Sequence, residues 1–556
     1  MRRVSKPFVL FALLCAGAGV ASVAACARDQ APAGGTVVIG SASEPDRLLP
    51  PLYQTTPQRA ASELLFDGLA AMGAGLNTVG DAGFEPRLAR RWSWAKDSLS
   101  IAFEIDPRAL WHDGTPVRAA DVAFAFSVYA DSLVGSPRRG DLRNALDSVT
   151  VRDSITAVAW FSHRSAEQFY TVVASLVPLP QHTLGKIPRD SLGASAAARA
   201  PVGSGPFVFA SAAAGQLDLV ANERYYRGRP ALDHLVFTVV NQVTTALAKV
   251  YGGDVDFYDN FPPQEVAALA THPDLRLIEQ PSFSYNFLQF NLMDGASDRP
   301  HPVFGDRATR RALAMALDRR AMAQNVFGAV GVAAIAPVSR AQWSFDSTVT
   351  RIPYDVAAAA RALDSLGWTL GADRVRHRGS HTLSFALLVP SVSKSRGSYA
   401  VLIQEQLRRV GAKVDVQSVE PGAFQAQMGS HQFDALIGGW GVTPSPTGIA
   451  QTWRGAPRTG SFNNAGGYSN PRFAAYVDSA MAASSMVAAK AHYRAAYETI
   501  IADAPAVWLY EAPNLLVASA HLVTGPMRAD AWWTSVPAWR LRAAAKARAT
   551  AAPKAP

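Results

Sequence analysis

From Thr36 onward this chain never keeps one hydrophobic period for long, and that restricts its fold more than any single motif. Ile101, Phe103 and Ile105 alternate as on a half-buried strand, and HLVFTVV (His234–Val240), SYNFLQFNL (Ser284–Leu292) and FDALI (Phe433–Ile437) also read as strands. Between them, Val122, Phe126 and Tyr129 form an i, i+4, i+7 stripe, and ATRRALAMALDRRAMAQNVFG (Ala308–Gly328) reads as one amphipathic helix with Gly328 as its C-cap. A further helix is predicted over 353–368, and Ser398–Val419 reads as a helix feeding a strand. Another, AAKAHYRAAYETIIADAP, breaks at Pro505 and leads into a strand. ASELLFDGLAAM (Ala61–Met72) has helical spacing, with Gly68 a cost if the helix continues. Interleaving of this kind implies an α/β fold with mixed sheets. At 556 residues the chain exceeds what one core serves, so two or three lobes are expected. No 20–50-residue repeat is present.

The N-terminus carries an address. Arg2, Arg3 and Lys6 precede an uncharged run from Phe8 to Ala25, and small residues follow in VAACARDQ. This is the pattern of a secretory signal over residues 1–25. The order Val23-Ala24-Ala25-Cys26 resembles a bacterial lipobox, in which the cysteine is lipidated and becomes the mature N-terminus. A short transmembrane anchor ending near Ala27 is the alternative, since 18 residues just span a bilayer. The chain's only cysteines are Cys15 and Cys26, so the mature body has no disulfide to form. The expectation is an exported protein held at the membrane of the cell envelope by lipid on Cys26, with residues 26–35 as a Pro/Gly-containing tether. Three of the nine net positive charges lie in the first six residues, and others crowd the Ala/Pro-rich tail, 541–556. No basic stripe on a nucleic-acid module appears, so no nucleic-acid partner is expected.

Catalytic motifs are missing: no HExxH, GxSxG, Walker A or GxGxxG is present. VGSGPF (Val202–Phe207) places two glycines around Ser204, but no strand-to-helix elbow follows, and a structural turn is the reading. His377 and His381 flank Gly379 as a loop pair rather than a metal site. Asp254 and Asp256 lack the spacing of a calcium loop. WHDG (Trp111–Gly114) reads as turn chemistry. No catalytic, metal or cofactor residue is expected, and the chain is read as a non-enzyme.

Taken in order, eleven segments resemble the family 5 extracellular solute-binding proteins, the oligopeptide, dipeptide and nickel receptors of bacterial ABC importers. Among them are ELLFDGL (Glu63–Leu69), EPRLARRW (Glu85–Trp92), WHDGTPVRAADVAFAF (Trp111–Phe126), PVGSGPF (Pro201–Phe207), GDVDF (Gly253–Phe257), LDSLGW (Leu363–Trp368), IQEQLRRVGAKVDV (Ile403–Val416) and DAPAVWLYE (Asp503–Glu511). The resemblance spans roughly Gly40 to Ser519. It implies a periplasmic-binding-protein-like fold of two lobes joined by two hinge strands, with an extra subdomain on lobe I. Lobe I would comprise 36–55, 200–281 and 505–540, the subdomain 56–199, and lobe II 282–504. The hinge strands would lie near Ser284–Phe290 and Val507–Glu511. It further implies a monomer that closes on a small solute, a peptide in the family's default, and delivers it to an ABC permease and its ATPase subunits. A metal or metallophore receptor is the alternative, and an exported hydrolase a more distant one.

The resemblance also picks out GGWGVTPSPTG (Gly438–Gly448). Family peptide receptors carry an Asp three residues after the tryptophan that matches Trp440, paired with the peptide amine, and some carry an Arg three residues before it. Here those positions hold Thr443 and Ile437. A buried amine opposite Thr443 would lack its partner, an expensive arrangement. Either Glu44 or Asp46 supplies the acid, or the ligand carries no amine there. Trp440, Gly439, Thr443, Glu44, Tyr285 and Asn286 are the ligand-binding candidates.

Overall fold

The computed structural model describes residues 34–295, 297, 299–454 and 463–542. The leader, Cys26 and the tail beyond 542 lie outside these. Two mixed sheets organise the chain. The first has seven strands in the order Leu275–Gln280, Asn514–Ser519, Phe257–Tyr258, Thr36–Ser41, His234–Val239, Gln216–Ala221 and Phe207–Ala213. The second has five: Lys413–Val419, Ser384–Pro390, Ala435–Gly441, Ser284–Phe290 and Ala506–Tyr510. Thr36–Ser41 pairs in parallel with His234–Val239, and Ser384–Pro390 in parallel with Lys413–Val419 through the helix Lys394–Arg408. A separate four-stranded antiparallel sheet, Ala89–Trp94, Ser100–Ile105, Thr156–Phe161 and Leu146–Val151, lies within 56–199.

Burial divides the same way. One apolar cluster runs through Val37, Leu64, Phe103, Phe169 and Leu219 and returns at Leu516 and Trp539, so the four-stranded sheet shares its core with the seven-stranded one. Another extends from Tyr285 to Tyr510 around the five-stranded sheet. We refer to these bodies as the first and second lobes.

The crossings between lobes differ from the sequence expectation. Ser284–Phe290 and Ala506–Tyr510 are neighbouring antiparallel strands of the second sheet, so 505–510 belongs with the second lobe rather than the first. Their continuations, Leu275–Gln280 and Asn514–Ser519, pair antiparallel in the first sheet. The ladder is interrupted only over 281–283 and 511–513, and Pro281 and Pro513, which have no N–H to donate, stand in those gaps. The chain therefore crosses between the sheets at these two short segments, directly beside the strands expected as hinges.

Other boundaries move for local reasons. The helix expected over 308–328 is two, Arg307–Met315 and Arg319–Phe327, because Asp318 caps the second through Ala321 N at 3.0 Å while its own N–H donates to Gln406 Oε1. Gly328, at φ 63°, ends it as expected. The helix Thr56–Leu65 stops before Gly68, and Ala70–Met72 is a short strand. Gly34 and Gly35, at the end of the expected tether, have their N–H groups bound by Ala231 O and Asp233. Leu541, first residue of the expected tail, pairs with Leu522 and is buried.

Candidate functional site

GGWGVTPSPTG begins inside the second sheet and ends against the first lobe. Along Ala435–Gly441, Trp440 stands opposite Tyr285 and Gly439 opposite Asn286. Opposed residues share a face, so Tyr285 and Trp440 lie on one side of the sheet and Gly439 and Asn286 on the other. Tyr285 is 1% exposed, and its hydroxyl accepts from Trp453 Nε1 at 3.0 Å. It packs with Phe287 and Trp508 in an aromatic cluster. Its surroundings make it a core residue of the second lobe, not a cleft residue. Trp440 is half-buried and packs against the same core.

Gly439 has a steric reason to be glycine. A Cβ there would lie 2.8 Å from Arg396 Nη2 and closer still to Asn286 Oδ1. The missing side chain leaves room for the buried Asn286 amide to accept from Arg396 at 3.4 Å. Glu44 is exposed and accepts from Gly215 N, and Asp46 accepts from Gln58 Nε2 at 2.7 Å. Neither lines the cavities beside Thr443. The structure therefore separates the six candidates: Thr443 borders the cavities between the lobes, Trp440 packs half-buried against the second lobe's core, and the others pack or cap elsewhere.

Past Gly441 the chain crosses toward the first lobe. Thr443 is exposed and borders two cavities at once, of about 180 Å³ and about 330 Å³, which also share Tyr170 and Ala174 of the first lobe. Pro444 closes the smaller one, and Ser445 and Thr447 the larger. The loop is held from behind by Gln342, whose Nε2 donates to Thr443 O at 2.9 Å and Ser445 O at 3.0 Å.

The smaller cavity is lined by aromatic and apolar groups with compensated charges. Burial works against the Glu63 carboxylate, yet Arg59 at 2.7 Å holds it below the usual range, and Trp533 Nε1 donates to its other oxygen. Asp67 accepts from Tyr225 and Tyr226 and faces Arg87 at 3.9 Å. Asp530 forms a bidentate pair with Arg528. Glu167, in the larger cavity, differs: it accepts only hydroxyls, from Ser445 and Thr78, and burial pushes its carboxyl up against their opposing pull. The residues that sequence reading missed here, Glu167, Tyr170 and Gln342, belong to no motif.

The motifs considered for chemistry are structural. His112 Nδ1 accepts from Gly203 N at 3.1 Å, so its Nε2–H donates to Gly205 O at 3.2 Å. Burial pushes this neutral imidazole down to about 4. Ser204 Oγ accepts from Asp67 N, with no base beside it. WHDG and VGSGPF thus clamp each other. Among the described residues no group of three His, Cys, Asp or Glu side chains gathers to hold a metal ion.

Residues 83–461 match the family model described as bacterial extracellular solute-binding proteins, family 5 Middle. The oligopeptide-binding protein AppA of Bacillus subtilis is 29% identical over 421 residues, covering 74% of this chain and 75% of that protein. Protein XP55 of Streptomyces lividans is 28% identical over 515 residues, 90% of each. The structure of B. subtilis AppA in complex with a nonapeptide superposes with a TM-score of 0.69 at 24% identity, covering 92% of this chain and all of that one.

Proposed function

The chain belongs to the bacterial extracellular solute-binding proteins of family 5, and we propose that within that family it captures a peptide and passes it to an ABC permease and its ATPase subunits. One observation carries the reading. The cavities at Thr443 have walls from both lobes, while the lobes are joined covalently only at 281–283 and 511–513. Rotation about those segments opens or encloses a solute without any bond being made or broken. That B. subtilis AppA, similar along most of this chain, has been captured with a nonapeptide supports the peptide class.

Thr443 shapes which peptides. With a hydroxyl where the resemblance would have a carboxylate, the second lobe offers a peptide amine no charge at Thr443, and Glu44 and Asp46 of the first lobe are occupied elsewhere. Contact then rests on the backbone and on apolar walls such as Tyr170, Phe84 and Met72. A thermal-shift series with short peptides, their N-acetylated forms, nickel–histidine chelates and sugars tests this. Peptides are expected to raise the melting temperature, with acetylation costing little. Stabilisation by chelates or sugars alone would replace the peptide reading with the alternative solute class.

The exported monomer would be held at the envelope through lipid on Cys26. Cys26→Ser is expected to move the protein into the detergent-free soluble fraction. Retention of that variant in membranes would favour the transmembrane anchor instead.

A further inference from the structure

Side chains join the two lobes at a second place besides the covalent crossings. Trp343 of the second lobe donates its indole N–H to Thr78 Oγ1 of the first at 2.8 Å. An indole nitrogen only donates, so Thr78 accepts there and turns its own proton to Glu167 Oε1. The other carboxylate oxygen accepts from Ser445 Oγ at 2.5 Å, back in the second lobe and 278 residues away in sequence. Ser445 Oγ also accepts Thr447 N–H at 3.2 Å and lies 2.7 Å from Thr447 Oγ1, whose hydroxyl donates to it while Ser445 donates to Glu167. The donors of the chain Trp343–Thr78–Glu167–Ser445 converge on the carboxylate, from Thr78 on one oxygen and from Ser445 on the other, and the circuit closes because Gln342, next to Trp343, grips the carbonyls of Thr443 and Ser445.

Nothing else accounts for Glu167 here. It caps no helix N–H with its side chain, although it precedes the helix Gln168–Ser175. Its hydrogen-bonding partners are the two hydroxyls, with no cation among them, whereas Glu63 and Asp530 at the same cleft are each paired with an arginine. A half-buried carboxylate without a counter-ion is costly unless its lone pairs are filled. Thr78, fully buried, fills one side within the first lobe. The second side is filled only when the Ser445 loop arrives, so the need of this carboxylate is met by closure.

We propose that Glu167 is a positioning residue that latches the lobes through Ser445 and sets the Thr443–Thr447 loop in its cleft-facing place before any solute binds. Thr443 is then oriented from both sides: by Gln342 of its own lobe and, through Ser445, by Glu167 of the other. This builds on the two-lobe clamp but not on the identity of its solute.

The test uses protein stripped of co-purifying solute by unfolding and refolding, with no solute added. Glu167→Ala and Ser445→Ala are each expected to raise amide hydrogen exchange over 442–449 by roughly tenfold, the loss of one charge-assisted hydrogen bond, and to enlarge the radius of gyration in small-angle scattering. In the radius of gyration the double variant is expected to go no further than either single one, since both remove the same bond across the cleft; Ser445→Ala additionally frees Thr447 N–H, so scattering rather than exchange at 447 is the deciding readout. Circular dichroism shows whether each variant folds, and Ser445→Ala alone suffices should Glu167→Ala fail. An unchanged radius of gyration in Ser445→Ala, or increases in radius that add in the double variant, would overturn the latch. Because no solute is present, either result leaves the peptide reading to its own thermal-shift test.

Discussion

Gly203→Ala is expected to destabilise the protein by roughly 3 kcal/mol or more, at the upper end of what overpacking costs. An alanine Cβ at 203 would lie 2.8 Å from the Leu65 carbonyl carbon, 2.9 Å from His112 Cε1 and nearer still to Leu65 O. Leu65 O belongs to the end of the helix Thr56–Leu65 and accepts Gly205 N at 2.8 Å, so backbone stands against backbone. Relief requires that the turn leave the helix, which breaks that bond and frees His112 from Gly203 and Gly205 together. Urea denaturation measures the loss. A variant within about 1 kcal/mol of wild type would show that the turn is not packed against Leu65 as described.

The hinge carries the second large effect. Glu511, 3% exposed, starts the segment 511–513. Its oxygens accept from Arg340 N at 2.9 Å and Arg340 Nε at 3.2 Å, but that guanidinium is 43% exposed and compensates incompletely. The neighbouring Ser339 hydroxyl donates to Ser282 O of the other crossing, so one short segment grips both. Burial pushes the Glu511 carboxyl from 4.5 up to about 7. Between those values the folded protein holds a proton that the unfolded chain has released, so stability falls as pH rises through this window and levels off above about 7. The span corresponds to about 3 kcal/mol. Glu511→Gln cannot titrate, so its stability relative to wild type is expected to climb by about that amount from pH 4.5 to pH 8. Chemical denaturation at four pH values decides the matter. A difference between the two proteins that stays flat with pH would refute the buried-acid account of the hinge.

Some local features were legible because their causes are local. The stripe Val122, Phe126, Tyr129 and the alternation Ile101, Phe103, Ile105 each report one face of one element, and those elements formed. Gly328 ends a helix as its backbone freedom allows, and VGSGPF is an irregular structural segment bonded to His112 and Leu65. Misreadings came where two local signals competed. The stripe over 308–328 is continuous, yet Asp318 could cap as well as solvate, and a glutamine at 406 settled the choice. Leu541 looked like the first residue of a basic tail until Leu522 offered it a partner.

The site was legible only in part. The order of weak segments located Trp440 and Thr443, and the absence of a charge at 443 was visible without coordinates. Which acid stands nearest was not: Glu44 and Asp46 are close in the resemblance but turned to Gly215 and Gln58, and Tyr285 alternates correctly yet faces the core.

The sequence by itself determined that this is a mixed α/β chain of the family 5 solute-binding type, because hydrophobic period, turn residues and segment order are properties of neighbours along the chain. Tertiary structure alone decided where the lobes cross, that Gly439 makes room for Asn286, and that Glu167 meets Ser445 across the cleft. Those outcomes depend on groups up to 278 residues apart brought within hydrogen-bond distance. A hydroxyl or carboxylate has no periodicity that announces its distant partner; burial and the demand that each buried polar group be satisfied select it only once the lobes have packed.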